Sequence, residues 1–326
     1  MVASNGRFLV GFRDSFQSKV IMDKVEFIWS DGELINWEKA TDHVLAHTMH
    51  YGVGAFEGIR CYEHDDGRRS IFRLEEHVQR LLDSCKIATI DVPFTKEQLV
   101  EACAQVISKN KLKSAYIRPL VYLGYGALGL GSLSCPTRTI VAAYEWGAYL
   151  GEDGLNKGIR CKTSAFRRGT VDSVVSKGKL CGQYVTGVLA KRDALKDGFD
   201  EALMMDASGC IAEGSGENIF VVKNKTVSTP AKSHSILPGI TRETVMTICD
   251  ELGYKVVEES CTRDEIWTAD EVFLTGTAAE VTPVREIDHR KIGTGTPGPM
   301  TMAIQKRYFE EVKGKEPKYA NWHHYI

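Results

Sequence analysis

The chain of 326 residues, at roughly 150 per domain, is long enough for two domains, each with its own apolar core. Its composition, 43% hydrophobic and 26% charged with 30 Gly and 9 Pro, excludes collagenous, low-complexity and largely disordered chains. The 41 Lys plus Arg against 43 Asp plus Glu leave a net charge of -2, which supplies no long-range field to attract nucleic acid or anionic lipid.

From the N-terminus, residues 1–24 contain Arg7, Arg13 and several Ser, interrupted by Asp14 and Asp23 and followed by no continuous apolar run. They read as an extension rather than a secretory signal, with an organelle transit peptide as the alternative. Short β-branched and aromatic runs predict strands at 25–29, 69–73, 115–123, 138–144, 160–166, 201–206 and 218–222. Helical periodicity intervenes at 75–89, 95–110, 180–197, 241–253 and 301–312. Thr95 with Gln98 makes a capping box, Gly198 marks the end of the helix that begins near Leu180, and Pro238-Gly239 precedes the helix that begins near Thr241. The Gly-rich stretch from Trp146 joins a strand ending near Tyr144 to one beginning near Ile159. The expectation is an α+β chain of two mixed α/β domains, 25–145 and 158–326, joined by a loop at 146–157, with a small-molecule site between them.

No window approaches the roughly 18 apolar residues of a membrane span. The nine cysteines occur singly, without a CxxC pair, as free thiols of a reducing, cytoplasmic compartment would. Gly124-Tyr125-Gly126-Ala127-Leu128-Gly129 matches GxGxxG, but the Pro136 that closes the following segment leaves no helix to meet a dinucleotide. His47 and His50 have no third ligand placed beside them, and His323 and His324 carry no more information, so no metal is expected. Hydrolase elbows, P-loops and HExxH are absent from the sequence.

Three polar segments share one chemistry. The hairpin from Asp206 to Val222 places Glu213 and Glu217 beside glycines, where the alternative is a solvated surface turn. Leu237-Pro238-Gly239-Ile240-Thr241-Arg242 offers backbone N–H groups at a helix start, suited to an anion or to plain capping. Thr275-Gly276-Thr277-Ala278-Ala279-Glu280 adds a small-residue turn after a strand.

With these, the blocks His50-Tyr51-Gly52, Phe56-Glu57-Gly58-Ile59-Arg60, Glu76-His77-Val78-Gln79-Arg80-Leu81, Ala115-Tyr116-Ile117-Arg118-Pro119, Trp146-Gly147-Ala148-Tyr149-Leu150 and Glu213-Gly214-Ser215-Gly216-Glu217-Asn218 occur in one order. From about Val25 the chain resembles the fold-type IV pyridoxal-phosphate enzymes, and within them the branched-chain amino acid aminotransferases. The resemblance implies transamination of branched-chain L-amino acids with 2-oxoglutarate, a pyridoxal 5'-phosphate cofactor, and a homodimer or larger assembly whose partner subunit closes part of the pocket. It implies Lys179, spaced from Tyr184 as Lys, four residues, Tyr, as the catalytic and cofactor-carrying lysine. Lys177 departs from the pattern, as does Val171-Asp172-Ser173-Val174-Val175, which lacks the family's two prolines. Glu213 would face the pyridine nitrogen, Tyr184 the phenolic oxygen and Leu237 the ring. Arg80, Ile240, Thr241 and Thr277 would hold the phosphate. Tyr51, Phe56 and Leu130 look like walls of an apolar substrate pocket. Tyr116 and Arg118 match the family's Tyr-x-Arg pair, of which Arg118 would receive a distal carboxylate, and the N–H groups of Thr277 and Ala278, with Arg60 as a contributor, would receive the α-carboxylate. The rivals are a D-amino acid aminotransferase, an (R)-amine transaminase or an aminodeoxychorismate lyase of the same fold, and a homologue without turnover; the Tyr116-Ile117-Arg118 motif argues against the first three.

Overall fold

The computed structural model describes residues 23–131 and 134–326, so all but the last two residues of the 1–24 extension lie outside the described residues. Seven strands between Phe27 and Tyr144, with an eighth at His323–Tyr325, make one antiparallel sheet. Its long strand Ala115–Leu123 pairs with Gly54–Phe56, Ile59–Glu63 and Thr137–Tyr144. Side chains alternate across a strand, so Ala115 and Ile117 enter the core while Tyr116 and Arg118 share the opposite face. The core face is covered by the helices Leu74–Ile87 and Lys96–Lys109. Leu74, Val78, Leu81 and Cys85 make the apolar stripe of the first. The second opens on the expected capping box, with Gln98 N–H donating to Thr95 Oγ1 at 3.3 Å and Thr95 N–H to Gln98 Oε1 at 2.8 Å.

Nine strands between Ile159 and Lys291 form the second, mixed sheet. Ile159–Arg167 runs parallel to Glu201–Met205, and Thr226–Thr229 parallel to Lys255–Glu258. Parallel neighbours need a long crossover, here supplied by the helices Tyr184–Lys196 and Ile240–Glu251. Successive residues of the central strands bury on opposite faces. Ile219, Val221, Val272 and Leu274 pack on one side, and Phe220, Val222 and Phe273 on the other. Phe220 and Phe273 are register partners whose rings stack with centroids 4.9 Å apart.

Three expectations change. The helix expected from Leu180 starts at Tyr184, because Lys179 and Leu180 run extended beside the Gly54–Phe56 strand: Phe56 N–H donates to Lys179 O at 3.1 Å, and Leu180 bridges Ala55. The join contains a short helix, Glu152–Lys157, rather than loop alone. The final residues do not stay with the second half of the chain: His323–Tyr325 pairs with Arg69–Phe72, and Ser70 Oγ lies 2.9 Å from His323 Nδ1. The GxGxxG segment is a turn, with Gly124 N–H donating to Pro136 O at 2.9 Å. His47 Nε2 and His50 Nε2 meet the carbonyls of Gly129 and Val44.

Candidate active site

Both sheets line a cleft of about 750 Å³ that continues into a second of about 440 Å³, the two sharing Lys179, Tyr184, Glu217, Asn218 and Leu237. The extended segment that displaces the helix start is what delivers Lys179. Its N–H donates to Ser84 Oγ at 2.9 Å, and its Nζ donates to the Tyr184 hydroxyl at 2.6 Å, across the short turn Cys181–Gln183. Phe56 packs edge-on against Tyr184 with centroids 4.8 Å apart. The amine of Lys177 points elsewhere, donating to His234 O at 2.7 Å and Ile236 O at 3.1 Å. Of the two lysines, the structure aims Lys179 into the cleft.

Across the cleft, Glu213 is buried on the strand Ile211–Gly214 just after a bulge. Its Oε1 forms an ion pair with Arg168 Nε at 2.9 Å, and its Oε2 accepts from Leu237 N–H at 3.0 Å and Asn218 Nδ2 at 3.3 Å. Burial pushes this carboxyl's pKa up, opposed first by Arg168, then by the Leu237 N–H, Lys179 and Lys177. It is therefore a buried acid whose ionised form is supported by surrounding donors. Arg168 was not singled out by sequence, and no spacing or motif marks it.

The far wall gathers donors for an anion. Arg80 bonds Glu57 through Nε at 2.6 Å and Nη2 at 2.9 Å, and Pro238 O through Nη1 at 3.0 Å, which uses three of its five N–H groups. Glu57 is wholly buried; burial alone would raise its pKa, but Arg80 and His77 hold it well below the usual carboxylate range. Beside Arg80 the helix Ile240–Glu251 opens at Gly239 without a side-chain cap, and Ile240 and Thr241 line the cleft. A Cβ at Gly239 would stand 2.0 Å from Asn218 Oδ1, so only glycine lets the chain pass there. Thr277 and Ala278 complete this wall, and the buried Thr275 Oγ1 on it has no hydrogen-bond partner among the described residues.

Tyr116 and Arg118 lie at the other end. The Arg118 guanidinium sits 4.7 Å from the Phe56 ring centre, with Nη2 3.4 Å from the Tyr116 hydroxyl, and among the described residues it forms no ion pair. Its buried Nε has no hydrogen-bond partner among the described residues. Gly58 makes room for Tyr116, since a Cβ there would lie 1.7 Å from the hydroxyl. Arg60 differs from its expected role. Its guanidinium is occupied by the carbonyls of Thr277, Ala278, Gly147 and Trp146 at 2.9–3.4 Å, so it ties the 277–278 turn to the join instead of facing a ligand. Tyr51 and Leu130 do not line the cleft either; Tyr51, at the end of the short helix His47–Tyr51, is 42% exposed, and Leu130, in a turn, is 91% exposed.

The family model described as Amino-transferase class IV matches residues 54–287, the span that contains every residue just placed in the cleft. The chain belongs to the class IV aminotransferases. A branched-chain-amino-acid aminotransferase of Pseudomonas aeruginosa is 47% identical over 92% of this chain and 97% of that protein. The crystal structure of the Escherichia coli branched-chain amino acid aminotransferase superposes with a TM-score of 0.90 at 41% identity, covering 92% of this chain and 99% of that one. That of the Thermobaculum terrenum branched-chain amino acid aminotransferase, solved in its PLP holo-form, has a TM-score of 0.87 at 31% identity over 93% and 98%.

The aminotransferase cleft holds a further acid, Glu217, whose role the sequence left open. Burial and the neighbouring Glu201 carboxylate push its pKa up to about 8, against Lys191 and the Gly216 N–H. Lys191 is itself held by Glu201, with its ammonium 5.4 Å from the Tyr149 ring centre. Among the described residues no group of three or more His, Cys, Asp and Glu gathers as a metal site, and no helix is long and apolar enough to cross a membrane.

Proposed function

We propose that this chain transfers amino groups between branched-chain L-amino acids (Leu, Ile, Val) and 2-oxoglutarate, with pyridoxal 5'-phosphate as its resident cofactor, as a cytoplasmic homodimer. The observation that carries the reading is one cleft with Lys179 against Tyr184, a buried and paired Glu213 opposite, and an unpaired Arg118 at the far end. The donor set fits the cofactor. An uncapped helix start, the unused N–H groups of Arg80 and an orphaned Thr275 hydroxyl match a phosphate, and a carboxylate fastened at three points matches a ring nitrogen.

When bound, the cofactor supplies a carbonyl carbon that takes up an amine and a ring that accepts electrons from the substrate carbon. Lys179 Nζ would hold the cofactor, and its amine, when free, would serve as the base that moves a proton at the substrate carbon. The Tyr184 hydroxyl, already bonded to that amine, holds the phenolic oxygen. Glu213 would keep the ring nitrogen protonated, and Arg168, paired with it, opposes the upward push of burial on its carboxyl and aims it. Leu237 packs on the ring, while Arg80, Ile240, Thr241 and Thr277 bind the phosphate. The N–H groups of Thr277 and Ala278 take the α-carboxylate, on a turn steadied by Arg60. Phe56 and Tyr116 face an apolar side chain, and Arg118 takes the second carboxylate of glutamate.

The homodimer accounts for Tyr51 and Leu130. With Val44, Met49, Tyr125 and Leu128 they form an exposed apolar face, of the kind that marks an interface. A second copy seated there brings such walls to the open end of its neighbour's cleft. The domain limits of this reading are 25–145, 146–157 and 158–326, apart from the returning C-terminal strand. Half-reaction spectra with L-leucine, L-glutamate, D-alanine and an (R)-arylalkylamine test the proposal: conversion by the first two alone supports it, and conversion by D-alanine or the amine alone replaces it with one of the rivals.

A further inference from the structure

The loop between Thr226–Thr229 and the helix Ile240–Glu251 has no strand partner for its carbonyls, yet five in succession are bonded by side chains. His234 O and Ile236 O accept from Lys177, Ser235 O from Arg168, Leu237 O from Asn218 and Pro238 O from Arg80. Buried carbonyls must be paired, and here four separated segments do it. Arg168 and Asn218 also bond Glu213, and Arg80 belongs to the anion wall. Lys177 alone among the four neither bonds Glu213 nor lines the cleft; it acts on Glu213 only through its charge, at longer range.

We propose that Lys177, which departs from the family pattern, is a positioning residue that fastens this loop to the segment carrying Lys179. The inference rests on reading the cleft as the cofactor site. The ammonium spans the carbonyls on either side of Ser235, which fixes the bend before Leu237, and Leu237 N–H is what holds Glu213 Oε2. The same bend sets the uncapped helix start at Gly239 toward the cleft. The bend is also anchored by Arg168 at Ser235 O and by the His234 ring, held by Asp206 and Ser260; none of these three residues lies in the short stretch that carries Lys179. Lys177 is thus the direct tether between the amine's segment and the loop that orients the opposite wall.

The test compares full-length wild type with Lys177→Met, which keeps the length without the charge, and Lys177→Arg, which keeps the donors. Amide hydrogen exchange is read on protein stripped of cofactor, and pyridoxal 5'-phosphate affinity by fluorescence titration. In Lys177→Met, amides of Ile236 and Leu237 exchange about tenfold faster and affinity falls about tenfold, with the Glu201–Met205 strand unchanged. Lys177→Arg restores both to within about threefold of wild type. Wild-type exchange and affinity in Lys177→Met, or no rescue by arginine, overturns the proposal. If Lys177→Met does not accumulate folded, Lys177→Gln is read the same way. Wild-type protein that binds no pyridoxal 5'-phosphate would sink the cofactor reading alone, while the exchange measurement still decides the tether.

Discussion

Replacing Arg118 with Met separates the two substrates that one pocket has to accept. Among the described residues the guanidinium has no carboxylate partner; it rests 4.7 Å from the Phe56 ring and 5.3 Å from that of Tyr116, with a long bond to the Tyr116 hydroxyl and a side-chain hydrogen bond to Tyr144. The substitution therefore breaks no ion pair, and removing the unpartnered Nε offsets part of the lost ring contact. With glutamate the loss is one charge-assisted contact to the second carboxylate, about 1.5–3 kcal/mol. That converts to roughly tenfold to 150-fold in the half-reaction. Leucine brings no second carboxylate and an apolar side chain that methionine suits, so its half-reaction should stay within about threefold. Stopped-flow half-reactions on cofactor-saturated protein measure both. Equal losses with the two substrates, or a glutamate loss under about threefold, would refute the assignment.

Glu213→Gln removes the charge facing the ring nitrogen while leaving Arg80, Ile240, Thr241 and Thr277 in place, so cofactor should stay bound stoichiometrically by absorbance. The leucine half-reaction should slow by about 10²–10³, and a rate within about twofold of wild type would remove Glu213 from the chemistry. Glu217 has a folded-state pKa raised from 4.5 to about 8, so the folded state binds the extra proton across that interval. Stability then falls as pH rises from 4.5 through 8, and Glu217→Gln abolishes the fall. The melting temperature of the variant relative to wild type should climb between about pH 5 and pH 8.5, and a constant difference would contradict the burial argument.

Local signals carried over wherever local chemistry decides the structure. The Thr95 and Gln98 capping box predicted its helix to within a residue at each end, and the Lys179 to Tyr184 spacing emerges as a 2.6 Å contact. Where tertiary pairing overrides propensity, the reading slipped. Leu180 has helical neighbours but spends its backbone on Ala55, and the last strand crosses back to Ser70 from far along the chain. The site divides the same way. Side chains at motif positions converge, Glu57 on Arg80 among them, whereas Arg168, outside every motif, acts through a partner 45 positions away with no periodicity between them. Arg60 was assigned by type, an arginine near a carboxylate site, but four carbonyls claim its donors first. Tyr51 and Leu130 belong to a surface that one chain leaves open.

The most direct test of the account is where the cofactor attaches. Purified protein supplied with pyridoxal 5'-phosphate, reduced with borohydride, digested and mapped by mass spectrometry should carry the phosphopyridoxyl mass on Lys179, and Lys179→Ala should carry none. Lys177 already spends its amine on two carbonyls and should remain unmodified. A label on Lys177, or a label retained elsewhere in Lys179→Ala, would contradict the assignment of the cleft and the chemistry built on it.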